Sequence, residues 1–199
     1  MSIAERLRAS LDLAPPPDLL PGDLVEGGPE LVREAAVLVA ITRRAQPGVL
    51  LTVRREHLRT HAGQVAFPGG RIDPEDAGPI EAALREAEEE IGLPSSLVEV
   101  WGTADPYRTI TGYRVLPVLG RVPPDLLLAP HEHEVADWFE APLAFLLDPA
   151  NQRSVQVEHE GRMRNYYQID WKGRRVWGAT AAMLVNLSRR LQASEAAWT

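Results

Sequence analysis

Three glutamates, Glu86, Glu89 and Glu90, stand at spacings i, i+3 and i+4 within residues 79–93, PIEAALREAEEEIGL. At about 100° per residue such a spacing puts all three on one flank of a helix. Like charges so placed repel by about 0.2–0.5 kcal/mol per pair. They also crowd the helix C-terminus, where the backbone dipole disfavours anions. Two readings follow. One is a solvated acidic face. The other is a cage for a hard divalent cation, which takes oxygen ligands, keeps several waters and binds where carboxylates meet substrate phosphates. The helix alone leaves both open.

Its boundaries are well marked. Pro79 suits a first helical position, Gly92 suits the C-terminal cap, and Pro94 blocks continuation. Ile80, Ala83, Leu84, Ala87 and Ile91 form an apolar stripe expected to face the core.

The elements that must position this helix can be read from pattern. Residues 2–13 have helical spacing, ended by Pro15-Pro16-Pro17, and 14–30 read as a linker arm. The run 33–42 is an apolar strand and 49–53 returns as its hairpin partner across Gln46-Pro47-Gly48. Residues 54–78, rich in Gly, Pro, Arg and Asp, read as a long functional loop. Strands are expected at 97–104 and 113–122, around Thr111-Gly112, and at 135–139. A short helix at 142–147 follows, then a hairpin of 155–159 with 166–171 around Glu160-Gly161, then a final helix at about 180–192. Strands before and after a central helix predict an α/β fold with a mixed sheet sandwiched by helices.

Composition narrows the function. The chain has 199 residues, 21 Lys+Arg against 28 Asp+Glu, and a net charge of −7. That balance argues against a nucleic-acid partner held by phosphate contacts. With no cysteine there is no disulfide, thiolate metal site or thiol nucleophile. No apolar run nears the roughly 18 residues that span a bilayer, so no membrane partner is expected. The start lacks the apolar segment of a signal peptide, which predicts a cytoplasmic protein.

Ahead of the acidic helix stands Phe67-Pro68-Gly69-Gly70-Arg71-Ile72-Asp73. Gly70 together with Arg85-Glu86-Ala87-Glu88-Glu89-Glu90-Ile91-Gly92-Leu93 resembles the Nudix box: Gly, five residues, Glu, seven residues, then Arg-Glu-apolar-any-Glu-Glu-any-Gly-apolar. The second half matches at every specified position. In the first half fourteen residues separate Gly70 from Arg85, one more than the pattern has. Counted forward from Gly70 the early glutamate slot holds Asp76; counted back from Arg85 it holds Ala77. The resemblance implies a Nudix fold, an α/β/α sandwich with a mixed central sheet and a loop–helix–loop motif over about residues 31–195, preceded by the 1–30 arm. It implies binding of Mg²⁺ or Mn²⁺ and hydrolysis of a nucleoside diphosphate linked to another group. Glu86, Glu89 and Glu90 become metal ligands and Arg85 holds the carboxylates in place. Glu89 and Glu134 both qualify as the general base.

Upstream, residues 50–70, LLTVRREHLRTHAGQVAFPGG, resemble the signature of the coenzyme A pyrophosphatase branch: Leu-Leu-Thr-any-Arg, a Ser or Ala, three residues, Arg, three residues, Gly, three residues, Phe-Pro-Gly-Gly. Every slot matches except the Ser/Ala position, which holds Arg55. The resemblance implies that Arg54, Arg59, Gly63, Phe67, Gly69, Gly70 and Arg71 bind substrate. Coenzyme A carries a diphosphate and a 3′-phosphate, and Arg54, Arg59, Arg71, Arg108 and Arg114 are cations suited to them. The expected products are 3′,5′-ADP and 4′-phosphopantetheine, or its acyl form. The alternatives are a Nudix pyrophosphatase for ADP-ribose, NADH or dinucleoside polyphosphates, and a Nudix-like nucleotide-binding module without catalysis. Tyr113 and Trp177 are expected to pack, and His131 and His133 to serve their loop.

Overall fold

The computed structural model describes residues 1–23, 32–55, 63–159 and 162–197. Arg59, the Glu160-Gly161 turn and residues 24–30 of the expected arm lie outside them.

The first ordered element is helix α1 (Ile3–Ser10), opened by a reciprocal cap. The Ser2 hydroxyl accepts from the Glu5 amide at 3.2 Å, and the Glu5 carboxylate accepts from the Ser2 amide at 2.7 Å. The helix is shorter than its pattern predicts. A side chain captures the carbonyls at and just beyond its end: Arg190 donates to the oxygens of Ser10 at 2.7 Å and Leu13 at 3.2 Å. Leu7 is fully buried in the core.

Among the described residues eight strands form one sheet: β1 (Arg33–Thr42), β2 (Gly48–Arg54), β3 (Val65–Ala66), β4 (Gly69–Arg71), β5 (Glu99–Thr103), β6 (Tyr107–Arg108), β7 (Tyr113–Val122) and β8 (Val135–Pro142). β1 and β7 run parallel over their full length, from Arg33 beside Tyr113 to Thr42 beside Val122, while β2 pairs antiparallel with β8. The expected β1–β2 hairpin is real but brief, registered only at Ile41 and Val49. Beyond that pair the strands part. β4 takes the edge of β1 and β3 takes the edge of β2. The stretch expected as an irregular loop therefore carries two short strands, because the backbone groups left by the parting need partners. Pro68, between them, accepts from the Leu38 amide at 2.8 Å.

Both faces of β1 are buried, as its near-continuous apolar run requires. Ala36, Leu38 and Ala40 meet α2 (Pro79–Ile91) on one face. On the other, Ala35, Val39 and Ile41 lie under α1, α3 (Leu143–Leu147) and α4 (Gly178–Ala197). That second face is extended by a small sheet of β9 (Arg153–His159), β10 (Arg162–Trp171) and β11 (Arg174–Trp177). The architecture is the α/β/α sandwich with a mixed sheet. No helix among the described residues is long and apolar enough to cross a membrane.

The apolar stripe of α2 needs a correction. Ala83, Ala87 and Ile91 are fully buried as expected, but Ile80 is 39% exposed and Leu84 only half-buried. Ala82 and Glu90 take their places inside. Small alanines let the helix sit close to β1 and turn its buried arc toward the side-chain-free Gly69-Gly70 turn, where Glu90 finds a donor.

Candidate active site

Two glycines admit two carboxylates. Gly69 has φ 152°, a conformation that L side chains rarely adopt, and a Cβ there would overlap the Ala36 carbonyl and Val37. Its amide, freed by this geometry, donates to Glu90 Oε2 at 3.1 Å. At Gly70 a Cβ would overlap the Glu86 carboxylate. The turn thus presents bare backbone to the acidic flank of α2.

Glu90 is 4% exposed. Burial pushes its carboxyl up to about 7, against the Gly69 amide and Arg54, which favour the charged form; Glu86 and Glu134 push it further up. Arg54 Nη1 stands 3.5 Å from Glu90 Oε1. Glu86 is also raised, chiefly by burial, with Arg85 opposing and Glu89 and Glu134 adding to the effect. Glu134 thus bears on both Glu86 and Glu90, and Glu86 on Glu90.

Arg85 ties this flank to the loop before it. Its Nε and Nη2 each reach a carboxylate oxygen of Asp76 at 3.0 Å, a two-pronged pair. Nη1 donates to Glu86 at 3.2 Å and Glu89 at 3.1 Å, and Nη2 also to the Arg71 carbonyl at 3.2 Å. These carboxylates hold the guanidinium even more firmly protonated than usual. The Asp76 side chain is only 4% exposed, accepts from the Asp73 amide at 2.8 Å, and is held below the usual carboxylate range by Arg85. Asp76, rather than Ala77, is thus the residue that meets Arg85. Counting forward from Gly70 was the sequence signal that found it.

Glu134 lies on the loop that follows β7, which is tied to α2 through its backbone. The Ala129 amide donates to the Ile91 carbonyl at 2.9 Å and the His131 amide to the Glu90 carbonyl at 2.8 Å, so the loop is stitched to the end of α2. No pattern in the sequence announced these backbone ties. Glu134 itself is exposed, and His131 and His133 pack edge-to-face on each other, ring centres 5.6 Å apart. Among the described residues no three acidic or histidine side chains already converge as a metal cage. Glu89, 60% exposed, pairs with Arg85 through the same guanidinium nitrogen that Glu86 uses.

The remaining expected positions are distributed. Gly63 makes a left-handed turn, φ 67°, and donates to the Arg54 carbonyl at 3.1 Å. Phe67, 2% exposed, lies in the core, so it anchors the turn from beneath. Arg71 is exposed. Arg114 pairs with Glu34 at 3.1 Å, and Arg108 is exposed on β6. Tyr113 lies under the Arg33 guanidinium, 4.4 Å from its centroid, and Trp177 packs edge-on to Tyr166 at 5.7 Å.

Comparison with known proteins agrees with this geometry. A family model of the NUDIX domain matches residues 32–160. The chain is 47% identical over 159 residues to the uncharacterized Nudix hydrolase NudL of Escherichia coli strain K12, covering 80% of this chain and 83% of that one. The same values hold for the protein of that name in Shigella boydii serotype 4. Among solved structures it is similar to RenU, a Nudix hydrolase from M. smegmatis, with TM-score 0.50 and 25% identity over 60% of this chain and 78% of that one.

Proposed function

The chain belongs to the Nudix hydrolase family, and on that premise we propose that it hydrolyses the diphosphate of coenzyme A and acyl-coenzyme A to 3′,5′-ADP and (acyl-)4′-phosphopantetheine. One observation carries the reading. Arg54 and Gly69, near the two ends of the stretch that resembles the coenzyme A signature, both meet the carboxylate of Glu90. Substrate loop and acidic helix are therefore one unit.

Nudix hydrolases generally use divalent ions such as Mg²⁺ or Mn²⁺. The donor set here suits such an ion: hard carboxylate oxygens, two of them desolvated, in a negative field that Arg54 and Arg85 only partly offset. Glu86 and Glu90, with Glu89 released from Arg85, would hold it. When bound, it supplies charge neutralisation for the diphosphate and a water of lowered pKa. The protein does the rest. Arg85 and Asp76 fix the flank of α2. Arg54 keeps Glu90 aligned and offers cationic charge to the diphosphate. Glu134, exposed and without a cationic partner among the described residues, is better placed than the Arg85-bound Glu89 to take a proton from the attacking water.

The test is a chromatographic product assay on coenzyme A, NADH and ADP-ribose, with Mg²⁺ and with Mn²⁺. Phosphopantetheine and 3′,5′-ADP are the expected products. Turnover of ADP-ribose or NADH with coenzyme A left intact refutes the substrate. Glu86→Gln should lower kcat/KM at least about 100-fold with the fold intact, since even outer partners of a metal site are worth 10–100-fold.

A further inference from the structure

We infer that Arg55 is a second anion-binding residue of this site, which takes the 3′-phosphate at the nucleotide end of the substrate and makes the enzyme prefer coenzyme A over its 3′-dephospho form. The inference rests on the coenzyme A reading above. Arg55 is also where this chain departs from the signature it otherwise matches: a guanidinium stands where a Ser or Ala is expected.

The backbone at this point is held on both sides. The Arg55 amide donates to the Glu134 carbonyl at 3.0 Å, continuing the β2–β8 ladder. On the other edge the Arg54 amide donates to Gln64 at 2.9 Å and the Gly63 amide to Arg54 at 3.1 Å. Side chains alternate across such a strand. Leu50, on the α2 face, and Leu51, on the opposite face, set the alternation, which Arg54 follows toward Glu90. Arg55 follows directly, just past the end of β2 where the β2–β8 register shifts, next to the residue that meets Glu90. Arg54 is committed to Glu90, which leaves Arg55 as the cation for a second anionic group of the substrate.

It is also unspent. Arg44, Arg54, Arg85, Arg114, Arg121 and Arg190 each pair with a carboxylate. Arg55 forms no such pair among the described residues, and its Nε is shielded from solvent without a hydrogen-bond partner. A buried guanidinium donor left unsatisfied costs free energy that an arriving acceptor returns. In a chain with 28 acidic against 21 basic residues, an arginine with no carboxylate partner among the described residues, next in sequence to the arginine that meets Glu90, is set for an anion from outside. The planar fork of donors matches a phosphate monoester. Coenzyme A has one such group besides its diphosphate, and 3′-dephospho-coenzyme A has the same scissile bond without it.

The experiment compares kcat/KM for the two substrates in the wild type and in Arg55→Ser, Arg55→Ala and Arg55→Lys. The wild type should prefer coenzyme A. In Arg55→Ser the preference should fall at least about tenfold, the loss of one charge-assisted contact, mostly through KM for coenzyme A, with Arg55→Lys intermediate. Isothermal titration without metal gives a second readout: Arg55→Ser should weaken 3′,5′-ADP at least about tenfold more than 5′-AMP. A preference unchanged within twofold in a folded Arg55→Ser or Arg55→Ala overturns the assignment while the coenzyme A reading stands. Hydrolysis of neither substrate, with ADP-ribose cleaved instead, overturns both.

Discussion

Replacing Glu90 by Gln should make the metal-free protein more stable, and increasingly so as pH rises. Glu90 is buried, and its carboxyl is pushed from an ordinary 4.5 up to about 7 in the folded protein. Between those values the folded state binds a proton that the unfolded state has released, so stability falls as pH rises through about 7 and levels off above it. At about 1.4 kcal/mol per pH unit the full penalty is about 3 kcal/mol, of which about 2 kcal/mol develops between about pH 5.5 and 8.5. A chain of this length loses about 2–4 °C of melting temperature per kcal/mol. In EDTA, the melting temperature of Glu90→Gln minus that of the wild type should therefore grow by about 4–8 °C across that range. Gln keeps an oxygen for the Gly69 amide, so its constant offset drops out of the comparison. Thermal unfolding by circular dichroism at several pH values decides it. A difference that stays flat with pH would mean that Glu90 is ionised without penalty, and the desolvated-carboxylate account of the site would be wrong.

Three other perturbations separate positioning from stability. Gly70→Ala places a methyl group where the Glu86 carboxylate lies and should cut kcat/KM about 10–100-fold with little change in melting temperature; wild-type kinetics would show that Glu86 need not stay there. Asp76→Asn removes the charged partner of Arg85 and should lower kcat about tenfold, while unchanged kinetics would mean that Arg85 needs no anchor. Asp105→Ala strands Arg190, 6% exposed, and should cost about 3 kcal/mol, or about 6–12 °C, with the specific activity of the folded fraction retained at 25 °C; calorimetry showing no loss would remove the pair from the stabilising contacts.

Much of the architecture is legible in the sequence. The 33–42 and 113–122 strands coincide with β1 and β7, and Pro79, Gly92 and Pro94 bracket α2 closely. Such features depend on local chemistry: apolar runs, a proline without an amide, a glycine at a cap. β3, β4, β6 and β11 escaped notice because each is at most four residues long, too short for periodicity to register. The exposed Ile80 misled for a related reason: helical spacing defines an apolar arc but not which part of it the neighbouring strand will cover.

The site divides along the same line. The amino-acid order alone placed Arg85, Glu86, Glu89 and Glu90 on one helical flank and the paired glycines before it, because three and four residues make one turn of any α-helix. It left Asp76 and Ala77 undecided, and it held no trace of the His131 amide on the Glu90 carbonyl. Only the folded chain settled that Asp76 grips Arg85 and that Glu90 rather than Ile80 turns inward, and it brought the charge of Glu134 to bear on Glu90. Those outcomes depend on segments distant along the chain and on how much water they leave behind. Solvent exclusion and long-range charge are properties of packing, which no local pattern encodes.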